Sequence, residues 1–411
     1  MIHTRRTRCR ACGSWRLQRV LSLGPTPLAN AFLQSEQEFA TEPSYPLDLY
    51  FCATCSLVQL LDVIDPEVLF RHYIYVTGTS DTIAAHNARY AQTVVERLGL
   101  GSDDLVIEVA SNDGSLLRCF QPYGVRTLGI EPAVNIAALA RAFGVETVNV
   151  FLNPDTAEMV REQYGGAAAV IGNNVLAHVD DPVAFLSACR RLLRPDGQII
   201  IEVPYVRDML DRLEYDTIYH EHHCYFSVTT LLRLCDATGL ALTQIDYVPV
   251  HGGSLRMYAS IESGEGHSPA VLALAAEEET AGLTRLSRYE RFAADVAANR
   301  DTLLDLLETL RRQGKTVAGY GAPAKGNTLL NYCGIDTRLV AYTVDKNPLK
   351  VGMYTPGMHL PVRPVSTLLE TPPAYVLILA WNFADEIMRQ QREYAARGGK
   401  FILPIPELKV V

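Results

Sequence analysis

The chain has 411 residues, of which 48% are hydrophobic and 20% charged, and its formal net charge is −9. This length exceeds what one hydrophobic core usually organises, so two or three domains are expected. The acidic balance disfavours a nucleic-acid-binding protein and a partner of anionic membranes, because both usually carry a basic excess. No segment approaches the roughly 20 consecutive apolar residues of a membrane span, and no apolar signal segment follows the basic N-terminal stretch, so we expect a cytoplasmic protein.

Two Cys-x-x-Cys pairs lie in the first 70 residues, beside short apolar stretches that predict strands. Four thiolates with this spacing supply the closed tetrahedral site that structural zinc prefers. In a reducing compartment such pairs favour metal binding over disulfides, and the alternative is a set of buried cysteines that only pack. We therefore predict a zinc-binding domain over residues 1–70, with one structural zinc ion bound by Cys9, Cys12, Cys52 and Cys55.

Residues 71–245 alternate helical and apolar extended stretches, which is the pattern of a parallel, doubly wound sheet. A helix is predicted over 182–197 and is followed directly by a strand. The predicted strands run over 105–110, 126–132, 146–151 and 198–204. This part of the chain is predicted to be a central Rossmann-like domain.

Residues 246–411 are predicted to form a C-terminal Rossmann-like α/β domain. A tract over 270–313 predicts two connecting amphipathic helices without a site, and a second α/β unit follows it. The predicted fold class is therefore α/β, with the zinc-binding domain placed before two Rossmann-like units.

The first strand of the central unit runs into the stretch VIEVASNDGSLL, and a second acid, Glu131, ends the next strand. An acid at that second position hydrogen-bonds ribose hydroxyls in nucleoside-binding α/β folds. The turn holds one glycine and an Asn-Asp pair where a pyrophosphate needs bare backbone, so it favours a ligand with a cationic, amino-acid-like tail. S-adenosylmethionine is such a ligand, and a purely structural strand–helix turn is the alternative.

The stretch GNNVLAHVDDP places two asparagines and His178 at the end of the fourth strand, where open α/β sheets bind ligands. Turn formation by the asparagines alone is the other interpretation. The predicted cofactor-binding residues are Glu108, Ala110, Asn112, Asp113, Gly114, Glu131, Pro132, Asn153, Asn173 and Asn174.

The run IYHEHHCYF, residues 218–226, holds three histidines, a glutamate and two tyrosines. It resembles the His-Glu-x-x-His pattern of zinc proteases, but that pattern needs a histidine where Cys224 stands, which disfavours a protease. Imidazoles with pKa values near neutrality, beside tyrosine and carboxylate, favour general acid–base chemistry. A polar loop before a helix capped by Ser227 is the alternative.

In the C-terminal unit, the stretch GYGAPAKGNTLL places glycines, Lys325 and a helix N-terminus after a strand. Backbone amides at a helix N-terminus and a lysine suit a phosphate group. The residue order of a P-loop is absent, and a glycine turn that only packs the helix is the alternative. Arg256 is the second phosphate candidate.

Taken in order, the two cysteine pairs and the stretches YVTGTS, VIEVASNDGSLL, GIEP, NNVLAHV, YHEHHCYFS, HGGSLR and GYGAPAKGN resemble the sugar C-methyltransferases of antibiotic deoxysugar biosynthesis. The resemblance covers essentially the whole chain, and it is nearest to the enzymes that methylate C-3 of dTDP-3-amino-4-ketosugars. It implies zinc, S-adenosylmethionine and a dTDP-linked ketosugar as ligands, with the C-terminal domain holding part of the nucleotide-sugar. We expect a monomer without nucleic-acid or membrane partners.

The resemblance also implies roles for individual residues. The Tyr-x-Glu-His motif of the family falls on Tyr219, Glu221 and His222, its active-site histidine on His178 and its active-site tyrosine on Tyr73. The predicted substrate-binding residues are Tyr75, Arg256, Lys325 and Asn327.

The chemistry implied is methylation of a carbon next to a ketone. A base removes the proton, the enolate oxygen is stabilised, and the enolate carbon attacks the sulfonium methyl group. We predict His222 as the base, Tyr219 or His178 as donor to the enolate oxygen, and Glu221 as the group that orients an imidazole.

Two other classes of protein are weighed against this hypothesis. An NAD-dependent sugar-nucleotide oxidoreductase would suit two Rossmann-like units, but both lack the Gly-x-Gly-x-x-Gly turn. A zinc-ribbon binding protein without enzyme activity would suit the cysteines, but the acidic charge and the dense ionisable run disfavour it.

Overall fold

The computed structural model describes residues 2–71, 81–249 and 252–411. Their strands form four sheets, of two, four, six and seven strands. Tyr73 and Tyr75, predicted to bind or act on the substrate, lie outside the described residues.

The N-terminal region forms two small antiparallel sheets around the cysteine pairs. Its elements are β1 (His3–Arg5), β2 (Leu17–Thr26), β3 (Tyr45–Cys52), β4 (Val58–Leu60), β5 (Asp62–Ile64) and α1 (Pro66–Phe70). Strand β1 pairs with β5, whereas β2, β3 and β4 form a sheet that a fourth strand completes. Asp65 caps α1 by accepting a hydrogen bond from the Glu67 backbone N–H at 3.0 Å.

The central region is a twisted seven-stranded sheet with helices between its strands. Its elements are α2 (Asp81–Leu98), β6 (Leu105–Val109), α3 (Ser115–Arg118), β7 (Arg126–Ile130), α4 (Val134–Ala142), β8 (Thr147–Val148), α5 (Pro154–Tyr164), β9 (Ala167–Asn173), α6 (Pro182–Leu192), β10 (Leu193–Pro204), α7 (Val206–Asp211), β11 (Cys224–Tyr225), α8 (Val228–Thr238), β12 (Leu240–Val248) and β13 (Ser254–Ile261). The strand order is β12-β13-β10-β9-β6-β7-β8. Strands β6 to β10 are parallel, and β12 and β13 close one edge with antiparallel pairing.

One predicted helix end in this region is wrong, and one predicted domain boundary falls within a strand. The helix predicted over 182–197 ends at Leu192, because Leu193 is already extended and Pro195 disfavours helical backbone in the residue before it. The domain boundary placed between 245 and 246 falls inside β12, and β13 also belongs to the central sheet. The boundary itself stays a prediction.

The C-terminal region is a second, mostly parallel sheet preceded by the predicted pair of helices. Its elements are α9 (Pro269–Thr280), α10 (Leu286–Arg312), β14 (Val317–Tyr320), α11 (Ala324–Cys333), β15 (Thr343–Asp345), β16 (Val362–Pro364), α12 (Thr367–Glu370), β17 (Tyr375–Ile378), α13 (Ala384–Gln390), α14 (Arg392–Ala396), β18 (Lys400–Leu403) and β19 (Lys409–Val410). The strand order is β16-β15-β14-β17-β18-β19, and only β19 is antiparallel to its neighbour.

The strand that completes the N-terminal sheet is β11, which belongs to the histidine-rich run. Cys224 pairs with Gln59 and Tyr225 with Val58, antiparallel to β4. Apolar packing also joins the N-terminal sheet to the C-terminal region, where the rings of Phe51 and Tyr289 lie 4.9 Å apart between centroids. No helix among the described residues is long and apolar enough to cross a membrane.

Candidate active site

A cleft of about 690 Å³ lies where the three regions meet. Its walls come from the carboxyl ends of strands in both parallel sheets, the position at which open α/β sheets bind ligands. The N-terminal region contributes Asn30 and Phe70, and the histidine-rich run contributes Tyr219 and His222. The volume is within the range of protein pockets for small ligands.

The turn after β6 forms one end of the cleft. Ala110, Asn112 and Gly114 all have positive φ, which folds the chain back sharply before α3. A side chain at Gly114 would meet Val145 at 2.6 Å, so only glycine fits there. Asp113 accepts a hydrogen bond from the Ser115 N–H at 3.2 Å. Gly114 and Asp113, predicted as cofactor ligands, therefore shape the turn and do not line the cleft.

Glu131 supports this turn from the end of β7. Its two carboxylate oxygens accept hydrogen bonds from the backbone N–H groups of Asn112, at 2.9 Å, and Ala133, at 2.8 Å. Burial raises the pKa of Glu131, although these hydrogen bonds oppose the shift. A carboxylate has about four acceptor positions, so Glu131 can also receive ribose hydroxyls.

A buried carboxylate oxygen and a buried amide oxygen in this end of the cleft have no hydrogen-bond partner among the described residues. They are Glu108 Oε2 and Asn173 Oδ1. Burial, followed by the nearby charges of Asp113 and Glu131, holds the pKa of Glu108 well above its ordinary value. A ligand that brings a positive charge and N–H donors would relieve both costs. S-adenosylmethionine carries a sulfonium, an ammonium and an adenine amine, so the residues present fit it.

The other predicted cofactor residues line the cleft as expected. Asn153 also caps α5, where its Oδ1 accepts from the N–H groups of Asp155 and Thr156 at 2.9 Å each. The full set of predicted cofactor residues on the cleft wall is Glu108, Ala110, Asn112, Glu131, Pro132, Asn153, Asn173 and Asn174.

The centre of the cleft holds an acid–base chain made of Tyr219 and His222. His222 Nδ1 lies 2.8 Å from the Thr217 carbonyl, which can only accept, so Nδ1 carries the proton. Its Nε2 is then an acceptor in the neutral ring, and the Tyr219 hydroxyl donates to it at 2.7 Å. Burial, followed by the neighbouring His178, lowers the pKa of His222 well below its ordinary value. The imidazole is therefore held neutral, as a base requires.

His178 stands beside this chain. Its ring centroid lies 4.9 Å from that of His222, and it stacks on Phe70 at 5.6 Å. Burial lowers the pKa of His178 to about 4, so this imidazole is neutral at neutral pH. A neutral imidazole can donate one N–H to a developing enolate oxygen.

Glu221 is hydrogen-bonded to the N-terminal region. Its Oε1 accepts a hydrogen bond from Asn30 Nδ2 at 2.6 Å, and Asn30, unlike Glu221, lines the cleft. The carboxylate of Glu221 also acts on Lys350, since it opposes the fall in the pKa of Lys350 that burial causes. Glu221 thus contacts the N-terminal region, and its orienting of an imidazole stays a prediction.

Two lysines, Lys325 and Lys350, line the wall of the cleft that the C-terminal region contributes, which we call the lysine wall. Lys325 Nζ lies 5.0 Å from the centroid of the Trp381 ring, and Trp381 Nε1 donates to Asp216 at 2.6 Å. Lys350 Nζ donates to the Ala322 carbonyl at 2.8 Å and faces the Phe32 ring at 5.0 Å. Both lysines line the cleft. Sequence reasoning missed Lys350; its only signal was its place shortly after a strand of the second α/β unit.

Arg256 and Asn327, which were predicted to bind substrate, contact other residues of the chain. Arg256 is paired with Glu202, with Nη2 at 2.5 Å and Nε at 2.7 Å from Oε1, and it lies over the Tyr90 ring. Asn327 is fully buried and its Nδ2 donates to the Ala29 carbonyl at 2.7 Å. Neither residue is on the cleft wall, and their binding of substrate stays a prediction.

The four cysteines of the N-terminal region converge on one point. Their sulfur atoms lie within 4.8 Å of one another, with Cys9 Sγ 3.5 Å from Cys55 Sγ and Cys12 Sγ 3.6 Å from Cys52 Sγ. A tetrahedral zinc ion with Zn–S bonds of about 2.3 Å separates its sulfur ligands by about 3.8 Å. The cluster fits zinc, and Gln59 Nε2 donates to the sulfur of Cys9 at 3.2 Å.

Comparison with known proteins agrees with this arrangement. Residues 9–70 match the model of a zinc binding domain, residues 83–245 that of a methyltransferase domain, and residues 249–406 that of a C-methyltransferase C-terminal domain. C-methyltransferase NovU of Streptomyces niveus is 38% identical over 404 residues, which cover 98% of this chain and 96% of that protein.

Two further matches cover less of the chain. Ubiquinone biosynthesis O-methyltransferase of Xanthomonas oryzae pv. oryzae is 33% identical over 98 residues, 23% of this chain and 41% of that protein. Magnesium protoporphyrin IX methyltransferase of Synechocystis PCC 6803, solved with bound S-adenosylmethionine, is 17% identical with a TM-score of 0.34, over 46% of this chain and 88% of that one.

The fold and the site define an S-adenosylmethionine-dependent methyltransferase that carries a zinc-binding domain. The chain belongs to the C-methyltransferase family, which confirms the enzyme class expected from its motifs. S-adenosylmethionine supplies an electrophilic methyl group when bound, and zinc stabilises the N-terminal fold.

Proposed function

We propose that this enzyme transfers a methyl group to a ring carbon, C-3, beside the ketone of a dTDP-4-keto-deoxysugar in antibiotic deoxysugar biosynthesis. The observation that carries this proposal is the neutral Tyr219–His222 chain between the cofactor end and the lysine wall of one cleft. An oxygen or nitrogen atom can accept a methyl group through its lone pair. A carbon beside a ketone becomes nucleophilic only after a base has removed its proton.

The chain's own residues support each proton movement. His222 Nε2 takes the C–H proton, either directly or through the Tyr219 hydroxyl, while Nδ1 stays on the Thr217 carbonyl. The electron pair of the C–H bond is delocalised into the enolate. The enolate oxygen accepts a hydrogen bond from the N–H of His178 or from the Tyr219 hydroxyl. The enolate carbon forms a bond to the methyl carbon as the sulfonium–methyl bond breaks. The ketone is restored, and the imidazolium of His222 returns its proton to solvent.

The lysine wall supports the nucleotide part of the proposal. The turn after β14 and the segment after β17 face each other across the point where the strand order of the C-terminal sheet reverses. Such a point is where doubly wound sheets bind nucleotides. We place the diphosphate between Lys325 and Lys350, both on the cleft wall.

The deciding experiment uses labelled S-adenosylmethionine and a panel of dTDP-4-ketosugars that differ at C-3. We expect label on C-3 of at least one sugar, together with solvent deuterium exchange at the same carbon when the cofactor is replaced by S-adenosylhomocysteine. Label on C-5 would move the reaction to the other side of the ketone. Label on oxygen or nitrogen would overturn the proposal.

The proposal also covers the state of the protein. We further propose that the protein is a monomer in the cytoplasm. Light scattering of the purified protein and fractionation of cells test these two points.

A further inference from the structure

One buried arginine connects the zinc cluster to the loops of the active site. Arg10 lies between Cys9 and Cys12, and its side chain is fully enclosed. Its Nη1 donates to the carbonyl of Leu60 and, at 3.4 Å, to Gln59 Oε1. Gln59 in turn donates to the sulfur of Cys9. Arg10 therefore belongs to the network that surrounds the predicted zinc ligands.

The other edge of the Arg10 guanidinium faces the central domain. Its Nε lies 3.2 Å from Asp180 Oδ1, and its Nη2 lies 3.1 Å from the same oxygen. Asp180 stands two residues after His178 and lines the cleft. A second arginine, Arg6, binds the other oxygen of Asp180 at 2.8 Å. The loop that carries His178 is thus tied to the cysteine turn by charge-assisted hydrogen bonds.

Strand β4 carries the same connection to the loop of His222. The Leu60 N–H donates to the His223 carbonyl at 2.9 Å, and the His223 N–H donates to the Ala177 carbonyl at 2.7 Å. Arg10 Nη1 donates to the carbonyl of the same residue, Leu60. The Arg10 guanidinium therefore contacts both β4, which pairs with the end of the histidine-rich run, and Asp180, which follows His178.

Stability alone does not account for this arrangement. A buried ion pair is often no more stabilising than a well-packed apolar group of the same size. A guanidinium does, however, fix several acceptors in one plane at set distances, which neither a lysine nor an apolar residue does. Geometry is what such a group contributes at this position.

We propose that Arg10 is a positioning residue, which transmits the zinc-fixed shape of the Cys9–Cys12 turn to the loops that carry His178 and His222. The zinc-binding domain is in this sense part of the proton-transfer apparatus. The kinetic part of this inference rests on the proposed function, whereas the positioning itself is measurable without a substrate.

The first test replaces Arg10 by methionine, which fills a similar volume without hydrogen bonds. A displacement of reacting groups by about 1 Å costs roughly 10²-fold in rate, so solvent deuterium exchange at the substrate carbon should fall by about that factor. S-adenosylmethionine should bind Arg10→Met with a Kd within about twofold of the wild-type value, because its turn lies in another part of the cleft. The purified variant should retain one zinc ion per chain.

Two further variants separate positioning from folding. Asp180→Asn keeps the shape of the side chain and should lower the exchange rate similarly, and the double variant should be no slower than Arg10→Met alone, because both act through one contact. Arg8→Ala is the matched control: Arg8 is exposed, stands before Cys9, donates to the Gly13 carbonyl at 3.3 Å and lies 5.8 Å from the centroid of the Trp15 ring. Its exchange rate should equal that of the wild type.

Amide hydrogen exchange supplies the readout that needs no substrate. In Arg10→Met, peptides over 174–181 and 218–226 should lose protection, while a peptide over 105–118 should not change. If the wild type exchanges no deuterium into any dTDP-4-ketosugar, the proposed function fails, and amide protection still decides the role of Arg10.

The inference is overturned if zinc-loaded Arg10→Met keeps both the wild-type exchange rate and full protection of the two loops. It is also overturned if the rate falls only in proportion to lost zinc, because Arg10 would then act on the metal alone. If Arg10→Met does not fold, Arg10→Lys and Asp180→Asn decide, and wild-type rates and protection in both reject it.

Discussion

The two sheets of this enzyme share the order of their five parallel strands but differ in charge at their ligand-binding edges. The central sheet presents Glu108 and Glu131 to the cleft. The C-terminal sheet presents Lys325 and Lys350, together with Asp345, whose oxygens accept from the Ala322 and Asn347 N–H groups. The acids suit a cationic cofactor, and the lysines suit an anionic nucleotide. The comparison shows that the doubly wound fold provides only the place for a ligand, while the side chains at the strand ends select its charge.

Loss of the base between the two sheets should have the largest effect. His222→Asn removes the imidazole that accepts a hydrogen bond from the Tyr219 hydroxyl. Methyl transfer and solvent deuterium exchange should both fall by roughly 10²–10⁴-fold, with S-adenosylmethionine affinity unchanged. Coupled methyl transfer assays and mass spectrometry of the sugar measure the two rates.

His220→Asn is the control for this variant, since His220 Nε2 lies 3.2 Å from the Pro46 carbonyl and not in the acid–base chain. If His222→Asn loses methylation but keeps deuterium exchange, His222 is not the base, and Tyr219 or His178 takes that role.

Neutralising an acid at the edge of the central sheet should weaken the binding of S-adenosylmethionine and leave the binding of the dTDP-sugar unchanged. Glu131→Gln removes a charge from the carboxylate that supports the Asn112 turn. The Kd for S-adenosylmethionine should rise by roughly 10–100-fold, the scale of a hydrogen bond to a charged group. Calorimetry with S-adenosylmethionine and with the dTDP-sugar separates the two ligands, and equal losses for both would contradict the comparison.

Neutralising the basic edge should produce the reverse pattern. Lys350→Met and Lys325→Met should each raise KM for the dTDP-sugar by about tenfold, because each removes a charge-assisted contact to phosphate. S-adenosylmethionine affinity should not change, and the effect should shrink at high salt.

Lys346→Met provides the matched control, since Lys346 is exposed and pairs with Glu386 at 3.7 Å. An unchanged KM in both lysine variants would show that the turn after β14 only packs its helix.

The smallest effect is expected in the pH dependence. An ordinary imidazole titrates near pH 6.5, but burial and His178 lower the pKa of His222 well below that value. The base then stays unprotonated as pH falls through 6.5, and kcat/KM is lost only at lower pH. A profile of kcat/KM between about pH 5 and 8 should therefore be flat across 6.5. An inflection at 6.5 would show an imidazole in contact with water.

Local sequence patterns predicted those parts of the site that depend on neighbouring residues. The cysteine pairs, the turn from Glu108 to Gly114 and the Tyr-x-Glu-His run each carry their chemistry within a few positions. The contacts of Arg256 and Asn327 could not be predicted in this way, because burial against Glu202 and Ala29 depends on how distant segments pack. For the same reason the partner of Glu221, Asn30, was not visible, since the two residues lie 191 positions apart.

Strand β11 gives the clearest example of a feature that local patterns do not reveal. Its two residues read as part of a polar loop, and only the register with β4 shows that they complete the N-terminal sheet. Register between segments so far apart is set by the shape of the finished core, which a single sequence does not display.

The same pairing has a consequence for synthesis of the protein on the ribosome. Strand β4 leaves the ribosome about 160 residues before β11, and at 5–20 residues per second this interval is roughly 10–30 s. Throughout that time the N-terminal sheet has an open edge of unpaired N–H and C=O groups, which is a template for association with other chains. Early binding of zinc would fold the cysteine turns but would not cover this edge. The nascent chain is thus exposed to aggregation until its own histidine-rich run arrives.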